Sequence, residues 1–201
     1  MRADVVAQRL QAMAQTGLTF TTDPYDRNRY EELRRLAAEL LSNGCDPAPV
    51  EAAFAAQEGY ATPKVDVRGA VFREGRLLLV QERADGGWTL PGGWADVGLT
   101  PSENVEKEIW EEAGLKTRAR RLLGVWDRDR HGAPPHTFHI YKMFFECEAE
   151  PGEPRASDET TDVGFFTLDN LPPLSIGRTL TKHIEWLFRV VQDPTAACYY
   201  D

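Results

Sequence analysis

Residues 100–115 read TPSENVEKEIWEEAGL, a stretch built as a short amphipathic helix with one strongly acidic side. Thr100 supplies the N-cap, Pro101 the first helical position, Glu103 the capping-box acid and Gly114 the stop, so a helix is expected over 101–113. Val105, Ile109 and Ala113 form the face that meets a core. Glu108, Glu111 and Glu112 recur at i, i+3 and i+4, which at about 100° per residue gathers them within a sector of roughly 100°, and Asn104 shares that side. Carboxylates so spaced repel one another, more strongly when partly buried, and a divalent cation removes the conflict. Hard oxygen donors of this kind suit Mg²⁺ or Mn²⁺ together with the phosphates of a substrate. A solvated acidic face is the other reading of the same residues.

The rest of the chain divides near residue 60. Before it every signal is helical. Val5, Val6, Leu10 and Met13 form a run that Gly17 is expected to stop, and Asp23-Pro24 opens a second helix with Leu33, Leu36, Ala37, Leu40 and Leu41 on one face. Asp46-Pro47 opens a third that closes by Gly59. From Ala61 the period becomes that of strands. VDVRGAVFR (65–73) and RLLLVQER (76–83) flank a Glu74-Gly75 hairpin turn, and WTLP (88–91) is a third short strand. After the acidic helix come strand candidates at 119–127, 137–147 and 161–167, then a last helix over 175–192 carrying Ile176, Leu180, Ile184, Leu187 and Val191 on one face. His183 is expected on the surface of that helix, His131 and His136 in a loop, and the WDRDRHG stretch as a mobile rim. The expected organisation is a helical module over 1–60 and an α/β domain with a mixed sheet over 61–201.

Composition narrows the function classes. A chain of 201 residues, 42% hydrophobic and 27% charged, holds one core of about 140 residues plus an appendage. Its 23 basic against 32 acidic side chains leave a net charge of −9, which disfavours stable nucleic-acid binding. There is no apolar run near the roughly 20 residues that span a bilayer, and MRADVVAQRLQ has no secretory-type stretch, so a soluble, cytoplasmic protein without membrane partners is expected. Cys45, Cys147 and Cys198 are odd in number and lack metal-site spacing, so neither a disulfide framework nor a zinc site is indicated.

Leu90-Pro91-Gly92-Gly93 leads into the acidic helix, and glycine there lets backbone approach a ligand and frees a carbonyl for a metal. Over 90–115 the chain reads LPGGWADVGLTPSENVEKEIWEEAGL, which resembles the Nudix hydrolase box, Gx5Ex7REUxEExGU. Gly93 takes the first position, Glu108 the glutamate of RE, Ile109 the apolar position, Glu111 and Glu112 the paired glutamates, and Gly114-Leu115 the end. Two positions depart from the pattern: Leu99 replaces the first glutamate and Lys107 the arginine. The two changes read as replacement of a linked pair, and Asp96 either provides the missing carboxylate or caps a turn.

The resemblance, over about residues 61–195, implies a Nudix α/β/α sandwich and hydrolysis of a nucleoside diphosphate linked to a moiety X, giving NMP and X-phosphate. It implies metal (Mg²⁺ or Mn²⁺) on Glu108, Glu111, Glu112 and the Gly92 carbonyl, with Glu112 essential to turnover. The base is Glu108 or a glutamate on a later loop, for which Glu159 is the candidate ahead of Asp158 and Asp162. Arg83, at the end of the second strand, is a candidate phosphate ligand. Arg68, set among apolar residues, either binds an anion or pairs with an internal acid. Trp88 and Trp94 are candidates for stacking on a base, against the alternative of core packing. The leader is similar to that of a subgroup of ADP-ribose and CDP-choline pyrophosphatases. Pro134 and Pro135, 19 and 20 residues beyond Leu115, fit poorly the proline that many ADP-ribose hydrolases carry, so ADP-ribose is one candidate substrate beside CDP-choline and UDP sugars. Removal of noncanonical dNTPs and a catalytically silent nucleotide sensor are the competing readings. The apolar stripes of the leader point to a homodimer in which the leader also closes the base end of the partner's cleft, the alternative being a leader that folds back on its own sheet.

Overall fold

A computed structural model describes residues 2–201, which gather into two units: residues up to Lys64 with Pro135–Ile140, and Val65–Pro134 with Tyr141–Asp201. The first contains α1 (Ala3–Phe20), α2 (Pro24–Ser42) and α3 (Ala48–Ala55). Asp23 caps α2 by accepting the N–H groups of Tyr25 and Asp26, and Asn43 closes it in the left-handed conformation. Gly17 does not end α1, which runs on to Phe20. Its missing side chain serves packing instead, since a Cβ there would lie 2.4 Å from Cζ of Tyr30. Ala37, Ala38 and Phe54 form the small core, joined by Leu10, Leu41, Val50 and Phe138.

Phe138 belongs to a segment that the sequence placed in the other half. Gln8 Nε2 donates to the His136 carbonyl at 2.8 Å, and the Lys64 N–H donates to the His139 carbonyl at 2.9 Å. The helical unit therefore draws on residues 135–140, and the strand expected from 137 begins only at Ile140.

The second unit is built on a mixed sheet of β1 (Lys64–Arg73), β2 (Arg76–Glu82), β3 (Trp88–Thr89), β4 (Thr117–Asp127), β5 (Ile140–Ala149), β6 (Thr160–Phe166) and β7 (Tyr199–Tyr200). The strand order is β3-β2-β1-β5-β4-β7, with β6 antiparallel to β2. Glu74 and Gly75, both at positive φ, make the tight turn between β1 and β2. Alternation along the strands sorts the side chains onto two faces. Val67, Val71, Leu78 and Val80 meet α4 (Pro101–Ala113) through Val105, Ile109 and Ala113. Ala70, Leu77, Leu79 and Phe144 meet α5 (Thr181–Val190) through Ile184, Trp186 and Leu187.

Three expectations are corrected on the α5 side. The helix starts at Thr181 and not at Ser175, because the preceding backbone is spent on β3: the Trp88 N–H donates to the Pro173 carbonyl and the Ser175 N–H to the Trp88 carbonyl, both at 2.9 Å. His183 is buried, its ring edge-on to Trp126, and burial holds its imidazole down at about 3, so it stays neutral. The stretch read as a mobile rim contributes Trp126 to the core and buries Arg128 and Asp129, which lie 3.4 Å apart. Strand β7, which no pattern predicts, lies parallel to β4 at Gly124 and Val125.

Candidate active site

The site starts from a loop pressed against β1. After β3 the chain turns back so that the Gly69 N–H donates to the Pro91 carbonyl and the Val67 N–H to the Gly93 carbonyl, both at 2.9 Å. Gly92, between them, has a φ of +139° that L side chains rarely adopt, and a Cβ there would fall 2.0 Å from the Val67 oxygen. A Cβ on Gly93 would fall 2.7 Å from Oε2 of Glu108. The two glycines thus let one loop touch a strand on one side and a helical carboxylate on the other. The Gly92 N–H donates to Oε2 of Glu112 at 2.8 Å.

Helix α4 is fixed at both ends, by the Thr100–Glu103 capping box and by Thr160, whose hydroxyl donates to the Glu112 carbonyl at 2.8 Å. Its inward anchors leave Glu112 only 6% exposed and Glu108 mostly covered. Burial pushes the Glu112 carboxyl up to about 8, with Glu108 and Glu82 adding to the rise and Arg68 and the Gly92 N–H opposing it. Burial also raises Glu108, and Glu111 and Glu159 add to it. Glu111 is half-exposed and bonded to Lys107 at 2.6 Å. Lys107 also lies 3.3 Å from Asp96 and 3.7 Å from Glu108, so Asp96 supplies a carboxylate to this lysine. Asn104, fully buried, holds that loop: it accepts the Asp96 N–H at 2.7 Å and donates to the carbonyls of Leu99 and Thr100. The donors are oxygens, and burial holds the Glu108 and Glu112 carboxyls above the usual carboxylate range, so this set fits a hard divalent cation.

The remaining candidates separate. Arg68 is buried and bidentate on Asp66, at 2.9 and 2.8 Å, with Nη1 on the Leu90 carbonyl at 3.0 Å. Of its two readings the internal pair is the one observed. Arg83 donates to the carbonyls of Asp158 and Thr160, at 3.1 and 3.4 Å, and so grips the loop on both sides of Glu159. Glu159 is exposed, and its charge is felt by Glu108. Trp88 is a correction: it is buried in the core with its ring edge-on to Phe166 at 4.7 Å, leaving no face for a base, because its side chain joins the cluster that packs against α5. Trp94, on the loop, is 48% exposed. Sequence reasoning missed Glu82, Asp66 and Lys142. Glu82 ends β2 with Arg178 at 2.9 Å, and Lys142 of β5 lies 2.9 Å from Asp66. Although burial works against it, Arg68 and Lys142 hold the Asp66 carboxyl down to about 2. Strand alternation alone offered a signal, by placing polar residues at inward positions.

Buried carboxylates beside a glycine turn in an α/β domain have the donor chemistry that suits a hard divalent cation. Residues 62–187 match the family model described as the NUDIX domain, and residues 4–54 match one described as a UDP-X-like, N-terminal oligomerisation domain. The chain belongs to the Nudix pyrophosphatase family, whose hydrolases use divalent metal ions. It is 45% identical over 97% of its length, and 95% of the relative's, to the Bacillus subtilis protein YjhB, provisionally named an ADP-ribose pyrophosphatase. A crystal structure of a UDP-X diphosphatase is 37% identical with full coverage of both chains and a TM-score of 0.66. An ADP-ribose pyrophosphatase structure from Streptococcus suis is 38% identical, covers 70% of this chain and all of its own, and has a TM-score of 0.64.

Proposed function

We propose that this chain hydrolyses the pyrophosphate bond of nucleoside diphosphate-X compounds, of the ADP-ribose or UDP-X kind, to NMP and X-phosphate. The observation that carries the reading is the convergence of Glu112 and Glu108 on the Gly92–Gly93 turn, and the names of the relatives support the substrate class. Glu108, Glu111, Glu112 and the Gly92 carbonyl would hold Mg²⁺ or Mn²⁺, which supplies charge neutralisation on the phosphates. The chain's own part is to place a water and take its proton. Water oxygen bonds to phosphorus, the bridging P–O bond breaks, and the proton passes to Glu159, whose loop Arg83 steadies. Glu108 is the rival base. A panel of NDP-sugars, CDP-alcohols, dinucleotides and dNTPs with either metal, scored by phosphate released after phosphatase coupling, tests the reading. Turnover of ADP-ribose or UDP-sugars is expected, and preference for dNTPs overturns it.

Glu159→Gln is expected to lower kcat by about 10² to 10⁴ with metal affinity unchanged. The pH–rate profile decides the assignment: a profile like that of the parent enzyme passes the role to Glu108.

The helical leader is assigned as the dimerisation element of a cytoplasmic enzyme. Met13, Phe20, Leu36 and Leu40 stand exposed on it, and the residues matched to an oligomerisation domain are these helices. No helix among the described residues is long and apolar enough to cross a membrane. Sedimentation of the full chain at micromolar concentration is expected to give a dimer, and a monomer defeats the assignment.

A further inference from the structure

Behind the acidic helix lies a line of ions that the hydrolytic chemistry does not use directly. Lys142, Asp66 and Arg68 are 2%, 5% and 4% exposed, on the sheet face that also carries Ala70 and Phe144. The line is continuous. Lys142 Nζ donates to Asp66 Oδ1 at 2.9 Å, Asp66 grips both Nε and Nη2 of Arg68, and Arg68 Nη1 donates to the Leu90 carbonyl at 3.0 Å. Leu90 is the last residue before the Pro91-Gly92-Gly93 turn, and that turn delivers its N–H to Glu112 at 2.8 Å. Strand β5 is in this way connected through β1 to the carboxylate of α4.

Stability does not account for these ions. Stripping three charged groups of water is costly, and apolar side chains of the same volume often serve a fold as well or better. The line also carries two cations for one anion, and the charge of Arg68 acts on the carboxylates of Glu112 and Glu82.

We propose that Lys142 and Asp66 are positioning residues of the hydrolytic site: they fix the Arg68 guanidinium, and through the Leu90 carbonyl it holds the Gly92 turn against Glu112. The inference rests on the reading of Glu112 given above. Lys142→Met is the informative change, because methionine fills the space and leaves Asp66 paired with Arg68. Its kcat on the best substrate of the panel is expected to fall about tenfold with KM within twofold. Its affinity for Mn²⁺ alone, measured calorimetrically without substrate, is expected to fall about fivefold. A merely structural role would move the melting temperature and leave both quantities at parent values, and that result overturns the proposal. Should Lys142→Met not fold, Arg68→Lys decides in its place: it keeps the charge but cannot hold Asp66 and Leu90 together, so the same losses are expected, and parent values overturn the idea. A Glu112→Gln protein with full activity would instead remove the site itself, whereas an inactive Glu112→Gln beside a Lys142→Met of parent behaviour removes only the positioning role.

Discussion

Glu112→Gln is expected to reduce kcat by about 10³ or more, to weaken Mn²⁺ binding, and to leave the protein folded. The change deletes a charge and keeps the shape, and glutamine still offers an oxygen to the Gly92 N–H. Stability gives a second and less obvious readout. In the metal-free protein burial holds the Glu112 proton until about pH 8, against an ordinary value of 4.5. The folded form therefore binds more protons than the unfolded one between those values. This group's contribution to stability is full below about 4.5 and is lost as pH rises through about 8. Glutamine has no proton to lose, so the metal-free variant at pH 8 is expected to be more stable than the parent, by on the order of 4 kcal/mol. Denaturant titrations at pH 5 and pH 8 measure the difference. A variant with less than a tenfold loss of kcat, or one less stable than the parent at pH 8, would mean that the buried Glu112 carboxyl only anchors the Gly92 turn and takes no part in hydrolysis.

Gly92→Ala is expected to be the most damaging single methyl group in the molecule. At a φ of +139° an L residue is strained, and the added carbon would sit 2.0 Å from the carbonyl oxygen of Val67, an atom of a central strand. Neither partner is the loose end of a side chain, so the loop must leave β1. That breaks the two backbone hydrogen bonds on either side of Gly92 and withdraws its N–H from Glu112. A loss of roughly 3 kcal/mol or more is expected, with turnover falling in whatever fraction stays folded. A urea midpoint and kcat both equal to those of the parent would show that the loop is free to move and does not build the site.

Local chemistry was readable where a few neighbouring residues decide the outcome. The Thr100–Glu103 box, the Gly114 stop and the spacing of Val105, Ile109 and Ala113 gave helix α4 its bounds without a structure. The Glu74-Gly75 turn was equally local. Long-range pairings were not readable. Nothing adjacent to Arg68 announces that Lys142, 74 residues on, completes its charge cluster, nor that Thr179 will accept the Leu90 N–H and keep residues 175–180 out of a helix. Charge also misled. Arg128 and Asp129 belong to a mixed-charge stretch that reads as a mobile rim, yet they are buried beside each other. Gly17 misled in the opposite way: a glycine read as a helix stop is a seat for the Tyr30 ring.

The borrowing of residues 135–140 by the helical unit bears on how such enzymes exchange parts. A leader grafted onto another catalytic domain by a cut near residue 60 would arrive without the carbonyl of His136 and without Phe138. The donor domain would be left with a hexapeptide shaped for helices it no longer has. Recombination at that boundary costs both products something, so leader and domain are expected to be inherited together, with any successful swap carrying the hexapeptide along as a second, discontinuous cassette.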